Sequence, residues 1–335
     1  MMRTVVLCAL CLMLPLGSAF AQLTGKIAYI SGRVTFYNAL DIHVMDPDGS
    51  NVVNLTDSGE ISVDPGWTPR DISFNLSWSP DGRKLAYKVG RDIFSIDLES
   101  RARVNLTNGD GFNKSPSWSP NGAKIVFMST IITAPSGGNI FVMNADGSNR
   151  VQLTETTGID GHPQWSPDGS KIAFHSARDG NIGIYVMNAD GSSPRRLTDD
   201  EDADMNPVWS PNGSRIAFDS GPSSASRLNG SNIFVMNSDG SNIIQLTFNE
   251  SFDAVAWPTW SPDGTTIAYG LIVGDPGNSA PDLIQVQLLD LASGEVTPIT
   301  NPEVISFWPA WSPGKGPSGT QVEAMSWGSL KVESR

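Results

Sequence analysis

The sequence offers few side chains that could carry out catalysis. Its three histidines, His43, His162 and His175, are not joined by an H-E-x-x-H spacing, and no G-x-S-x-G nucleophile elbow occurs. Asp160 and Asp204 are the carboxylates that could join His162 as metal ligands, which is a small set for a metal-dependent enzyme. We therefore expect no catalytic residues, no metal and no cofactor.

A set of binding candidates is defined by its place beside a repeated motif. Trp-Ser-Pro occurs six times, at Trp78, Trp118, Trp165, Trp209, Trp260 and Trp311. The residue three positions before each of these tryptophans, just ahead of the proline slot, varies among the copies: Asn75, Ser115, His162, Asn206, Trp257 and Trp308. Brought together, with Asp160 and Asp204 two positions earlier in their copies, these residues would form a pocket with polar groups on one wall and indoles on the other. Such a pocket suits a sugar or a peptide side chain, unless the indoles only fill space between units.

The same repeat predicts the fold that positions these residues. Successive motifs are 40, 47, 44, 51 and 51 residues apart, which accommodates four short strands per unit, and no long helical pattern intervenes. We name the strands A (ending at Trp-Ser-Pro), B, C and D. A four-stranded unit exposes two apolar faces and is stable when stacked radially. The sequence thus predicts an all-β, six-bladed β-propeller of four-stranded antiparallel blades, with the tryptophans packed between blades.

The two ends of the repeat region predict how the ring closes. Lys26 to Tyr29 reads as a B strand with no A strand before it, whereas Trp308 to Trp311 reads as an A strand with no regular B strand after it. Pairing the N-terminal strands with the C-terminal strand would complete one shared blade and remove the exposed edges.

These motifs together resemble a known family. Trp-Ser-Pro is followed by Asp-Gly or Asn-Gly in five copies, and pieces of the Met-Asn-Ala-Asp-Gly type stand at Met45, Met143, Met187 and Met236. Six Leu-Thr or Ile-Thr pairs close the units. Over about residues 24 to 313 the chain resembles the TolB-like (WD40-like) β-propeller repeat family, which implies the same propeller fold.

Connection lengths distinguish the two faces of the predicted disc. The B–C connections vary between 6 and 15 residues, at 29–42, 87–93, 127–140, 174–184, 218–233 and 269–284. The D–A connections are 11 residues in four units but 13 and 22 in two, at 56–78, 107–118, 154–165, 198–209, 247–260 and 300–311. Both sets emerge on one side, which we call the variable face, and the A–B and C–D turns form the turn face. Loops on a rigid scaffold commonly bind partners, so we expect binding on the variable face.

The longest of these connections is a second binding candidate. It contains Trp67 and Arg70, residue types that dominate binding hot spots, among prolines and glycine that stiffen the loop. We expect Trp67 and Arg70 to form a partner-binding loop. The alternative is that Trp67 folds down and caps a neighbouring blade.

The remaining expectations concern location and partners. Residues 1–21 read as a signal peptide, 22–313 as the propeller and 314–335 as a C-terminal tail, which predicts a periplasmic or secreted protein without a transmembrane segment. The net charge of −13 disfavours nucleic acid. We expect a monomeric, non-catalytic module that binds an envelope or extracellular protein, or a glycan. The alternative is a carbohydrate lyase or lactone hydrolase that uses the channel pocket.

Overall fold

The computed structural model describes residues 23–32, 40–57, 75–130, 137–199, 201–222, 230–249, 253–273 and 283–314. The predicted signal peptide, Trp67, Arg70 and residues 315–335 of the predicted tail lie outside these ranges. Within them, no helix has the length and apolar character required to cross a bilayer.

The described residues form twenty-four strands in six consecutive groups. The first group is β1 (Ile27–Gly32), β2 (Leu40–Met45) and β3 (Val53–Asn54). The second is β4 (Ser77–Trp78), β5 (Lys84–Val89), β6 (Asp92–Asp97) and β7 (Arg103–Asn105). The third is β8 (Phe112–Trp118), β9 (Lys124–Thr130), β10 (Asn139–Asn144) and β11 (Val151–Gln152). The fourth is β12 (Asp160–Trp165), β13 (Lys171–Ser176), β14 (Gly183–Asn188) and β15 (Arg195–Arg196). The fifth is β16 (Ala203–Trp209), β17 (Arg215–Gly221), β18 (Asn232–Asn237) and β19 (Ile244–Gln245). The sixth is β20 (Ala254–Trp260), β21 (Thr266–Val273), β22 (Leu283–Asp290), β23 (Val296–Pro298) and the last strand β24 (Ile305–Trp311).

These strands form six four-stranded antiparallel sheets, so the predicted six-bladed propeller is confirmed. Five blades use consecutive strands, and the remaining blade has the strand order β24-β1-β2-β3. Ile27 pairs with Trp311 and Ala28 with Ala310, which confirms the predicted closure by the two ends of the repeat region. We number the blades 1 to 6 around the ring, beginning with this closing blade, so blades 1 and 4 lie opposite one another.

The blades pack on one another through apolar side chains of strands A, B and C. In blade 4, Phe174 and Tyr185 are buried, stack with ring centroids 5.7 Å apart and belong to one apolar cluster with Val126 and Ile140 of blade 3. Of the motif tryptophans, Trp165 and Trp209 are only partly buried and the other four are buried. The Trp78 indole N–H also donates to the Ala310 carbonyl of the neighbouring blade at 2.9 Å. The tryptophans therefore contact adjacent blades, as predicted, but to unequal depth.

The A–B turns share one hydrogen-bond pattern, which makes the turn face regular. In blade 4, the Ser166 hydroxyl donates to the Asp168 carboxylate at 2.6 Å and accepts the Lys171 N–H at 2.9 Å. The same serine forms the same two bonds in the other blades with a complete motif, at Ser79, Ser119, Ser210 and Ser261. The side chains of Asp, Asn and Ser thus fix these turns locally.

Candidate functional site

The predicted binding residues of strand A lie on a β-bulge. The pairing of strand A with strand B shifts register beside Ser115, His162, Asn206, Trp257 and Trp308. These five residues have left-handed backbone conformations, with φ between 49° and 61°. A left-handed conformation is costly for residues other than glycine and is a true outlier for tryptophan. Its recurrence with five residues of four types shows that the propeller architecture imposes it.

The side chains at this level meet across the central channel. The rings of His162 in blade 4 and Trp308 in blade 1 are stacked, with centroids 5.4 Å apart and planes 7° apart. Trp257 in blade 6 stacks on Trp308 with centroids 4.6 Å apart. Because blades 1 and 4 are opposite, this stack crosses the channel axis. The sequence predicted a ligand-binding pocket at these residues, but the structure leaves His162 only 6% exposed.

The other predicted channel residues surround this stack. Asn75, Ser115 and Trp257 are buried, and Asn206 is partly buried. Asp160 and Asp204 are fully buried. The six equivalent strand A residues thus form one largely buried layer inside the ring rather than an open rim, and Asp160 and Asp204 lie two residues nearer the variable face.

Asp160 already has strong hydrogen-bond partners. Its carboxylate accepts hydrogen bonds from the Ser176 hydroxyl at 2.6 Å and from the Arg178 guanidinium at 2.9 Å. A buried carboxylate requires such a charge partner because it has lost its hydration. Asp160 is therefore held as a structural ion pair beside His162.

A second buried carboxylate, Asp219, was missed in the sequence. It accepts hydrogen bonds from the Asn206 amide at 2.8 Å and from the Trp257 backbone N–H at 3.2 Å. Burial raises the pKa of Asp219 to about 7. The negative charge of Asp204 also raises this pKa, whereas the two hydrogen bonds lower it. Burial also holds the pKa of His162 well below its ordinary value, helped by the positive charges of His175 and Lys114. At neutral pH His162 is uncharged.

Asp219 and His175 could have been found from their position in the repeat. Each directly follows the strand B aromatic, Phe218 or Phe174, so its side chain points to the opposite side of strand B. Glycines make room for this layer. A Cβ atom on Gly161 would lie 2.5 Å from the His175 Nε2 atom, and one on Gly270 would lie 2.8 Å from the Trp257 ring.

A cavity of about 490 Å³ lies on one side of the layer, toward the turn face. We call it the funnel. Its floor is Asn75, His162, Asn206, Trp257 and Trp308, and its wall is the following residues of each strand A. Its rim is formed by the prolines of the Trp-Ser-Pro motifs, Pro80, Pro120, Pro167, Pro211, Pro262 and Pro313. Five of the eight predicted channel residues thus face a cavity on the side opposite to the variable face, and Ser115, Asp160 and Asp204 do not line it.

The arrangement of acidic and imidazole groups bears on metal binding. In the portion of the chain that the structure describes, no three His, Cys, Asp or Glu side chains are grouped so as to hold a metal ion. The Asp160 carboxylate forms an ion pair with the Arg178 guanidinium, and the His162 ring stacks on the Trp308 ring. The geometry is that of a packed, hydrogen-bonding channel.

Comparison with known proteins agrees with the repeat motifs. Residues 18–228 match the family described as TolB beta propeller domain. The uncharacterized protein Atu1656 of Agrobacterium fabrum is 34% identical over 103 residues, which are 26% of this chain and 35% of that protein. The Tol-Pal system protein TolB of Alcanivorax borkumensis is 29% identical over 119 residues, 32% of this chain and 25% of that protein. The chain thus matches about a third or less of the length of these relatives.

A solved structure extends the likeness of fold. The crystal structure of TolB from Acinetobacter baumannii superposes with a TM-score of 0.69 at 21% identity, covering 86% of this chain and 66% of that one.

Proposed function

The chain belongs to the TolB beta propeller domain family, and from this membership and its surface we propose that it is a non-catalytic binding module. It acts after export, in the periplasm or outside the cell, as a monomer. Its partner is an envelope or extracellular protein, bound on the variable face. A glycan is the alternative partner.

Exposed apolar side chains on the variable face carry this proposal. Phe112, Ile159 and Phe248 are 42%, 37% and 66% exposed, and each lies in a different D–A connection. The Arg91 guanidinium covers the Phe112 ring at 4.1 Å. Aromatic residues and arginine are enriched in protein interfaces, and exposed apolar groups gain free energy when a partner covers them.

The contrast between the two faces supports the same assignment. The A–B turns repeat one hydrogen-bond pattern, whereas the connections on the variable face differ in length and in exposed side chains. A partner can be specified by side chains that differ from blade to blade, and the variable face supplies them. Trp67 and Arg70, in the longest D–A connection, are proposed to belong to this interface.

A lyase or lactone hydrolase that uses the channel is less well supported. Such an enzyme needs an accessible acid or base, or a metal held by several ligands. Asp160 is paired with Arg178, and Asp219 is 1% exposed and bonded to Asn206. The buried layer offers these groups no direct access to a substrate.

Site-specific crosslinking tests the proposed face. A photoreactive amino acid replaces Phe248 in one variant and Val151 in another, and both are expressed in cells. Val151 is a matched control because it is 54% exposed but lies on the outermost strand of its blade. We expect one discrete protein adduct from position 248 and none from position 151. Equal adducts from both positions, or none from 248, would contradict the proposed face.

Deletion of the loop tests the predicted contribution of Trp67 and Arg70. Residues 59–74 are replaced by a short Gly-Ser linker in the variant that carries the crosslinker at position 248. We expect the adduct to weaken while thermal unfolding is unchanged. A loss of thermal stability with an unchanged adduct would support the alternative that Trp67 caps a blade.

A further inference from the structure

The funnel is separate from the variable face and is lined by an unusual set of side chains. We propose that it is a second binding site, on the turn face, and that it accepts the uncharged end of a saccharide. Eight of the ten tryptophans in the sequence line this cavity of about 490 Å³. Cavities of this size with aromatic walls and a few polar groups are typical of small-molecule sites.

The absence of charge in the lining restricts the ligand. The described residues that line the funnel include no Asp, Glu, Lys or Arg, although the sequence contains 35 acidic and 22 basic residues. His162 in the floor is uncharged at neutral pH. A charged group that entered the funnel would lose hydration and meet no opposite charge. The lining therefore favours a neutral ligand over a uronic acid, an amine or a phosphate.

The funnel has a polar side and an apolar side. In the floor, the residues of blades 2, 4 and 5 are polar and those of blades 6 and 1 are aromatic: Asn75, His162, Asn206, Trp257 and Trp308. One step toward the rim, the residues of blades 2, 3, 4 and 6 are polar and those of blades 5 and 1 are apolar: Ser77, Ser117, Gln164, Thr259, Val208 and Ala310. Blades 2 and 4 are thus polar in both layers, and blade 1 is apolar in both. A sugar ring has an apolar C–H face and hydroxyl edges, which matches this two-sided lining.

Three polar atoms in the floor strengthen the choice of a hydroxylated ligand. The Asn75 Oδ1, His162 Nδ1 and Trp308 Nε1 atoms are buried and have no hydrogen-bond partner among the residues that the structure describes. Their side chains are 9%, 6% and 5% exposed. An amide oxygen requires a donor and an indole N–H requires an acceptor. A hydroxyl group can serve both, whereas an ammonium only donates and a carboxylate only accepts.

The floor also determines how a ligand enters. Because the stack of Trp308 on His162 crosses the axis, the funnel is closed at its base and admits a ligand by one end. The end of a neutral glycan carries no charge, whereas a peptide that enters by its terminus brings one. A peptide that inserts a proline or aromatic side chain is the competing occupant.

A binding experiment on the full chain tests this proposal. The purified protein is applied to an array of neutral glycans, acidic glycans and proline-rich peptides, and the strongest ligand is titrated by calorimetry. We expect saturable binding to neutral glycans and not to their acidic counterparts. Binding to peptides alone, to acidic glycans equally well, or to no glycan would overturn the proposal.

Two matched variants place the binding in the funnel. Val208→Lys introduces a charge into the wall, and Val151→Lys makes the same change at an exposed position outside it. We expect the first to weaken binding about tenfold or more, since an unpaired buried charge is costly, and the second to leave it unchanged. If Val208→Lys fails to fold, Gln164→Leu removes a polar group from the same wall. Unchanged affinity in a folded wall variant would place the saccharide elsewhere.

Discussion

The buried carboxyl of Asp219 predicts how the stability of this propeller depends on pH. The pKa of Asp219 is about 7 in the folded chain against an ordinary value of 3.8. Between these values the folded state holds a proton that the unfolded state has released. The free energy of unfolding therefore decreases as pH rises from about 4 to 7, and the contribution of this group is constant above 7.

Asp219→Asn should remove this dependence while retaining the packing. An asparagine side-chain oxygen can still accept the hydrogen bonds from Asn206 and from the Trp257 backbone. Between pH 5 and pH 8 the linkage amounts to about 2 to 3 kcal/mol, at about 1.4 kcal/mol for each pKa unit. We expect the variant to gain that much stability relative to the wild type when the pH is raised from 5 to 8.

Urea denaturation of both proteins at pH 5 and pH 8 measures this difference directly. His162, whose lowered pKa gives stability that is lost as pH falls, remains in both proteins and cancels to first order. Asp168→Asn is the control, because the pKa of this exposed carboxyl is about 2 and it is ionised in both states above pH 5. If Asp219→Asn and the wild type differ equally at the two pH values, the carboxyl is not protonated in the folded chain.

Four further substitutions test the packing of the ring by chemical denaturation. Trp78→Ala should cost about 3 to 5 kcal/mol because it removes a buried ring bonded to Ala310, and Trp209→Ala, at a partly buried ring, should cost less. Gly270→Ala should cost about 1 to 3 kcal/mol, since its methyl would lie 2.8 Å from the Trp257 ring. Arg178→Met should cost about 3 to 5 kcal/mol because it leaves the buried Asp160 carboxylate without its charge partner. A substitution with no measurable effect would show that its contact does not stabilise the ring.

The fold could be predicted from the sequence because its determinants are local and repeated. Each of the five complete Trp-Ser-Pro motifs ends a strand and starts a turn whose serine bonds lie within five residues, as from Ser166 to Lys171. The closure was predictable too, since the strand missing at one end is present at the other. How deeply the channel residues are buried could not be predicted. His162 and Trp308 are far apart in sequence and meet because two opposite blades approach at the axis, and no local pattern specifies that distance.

The backbone of the channel layer separates what the fold requires from what the side chains add. The left-handed conformation occurs equally at Ser115, Asn206 and Trp257, so the bulge does not select the residue type. Asparagine adopts this conformation at lower cost than tryptophan does. If strand geometry alone mattered, all five positions could be asparagine. Trp257 and Trp308 are therefore explained by their rings. Trp308 stacks with His162 across the axis, Trp257 stacks on Trp308, and together they give the funnel an aromatic floor on one side.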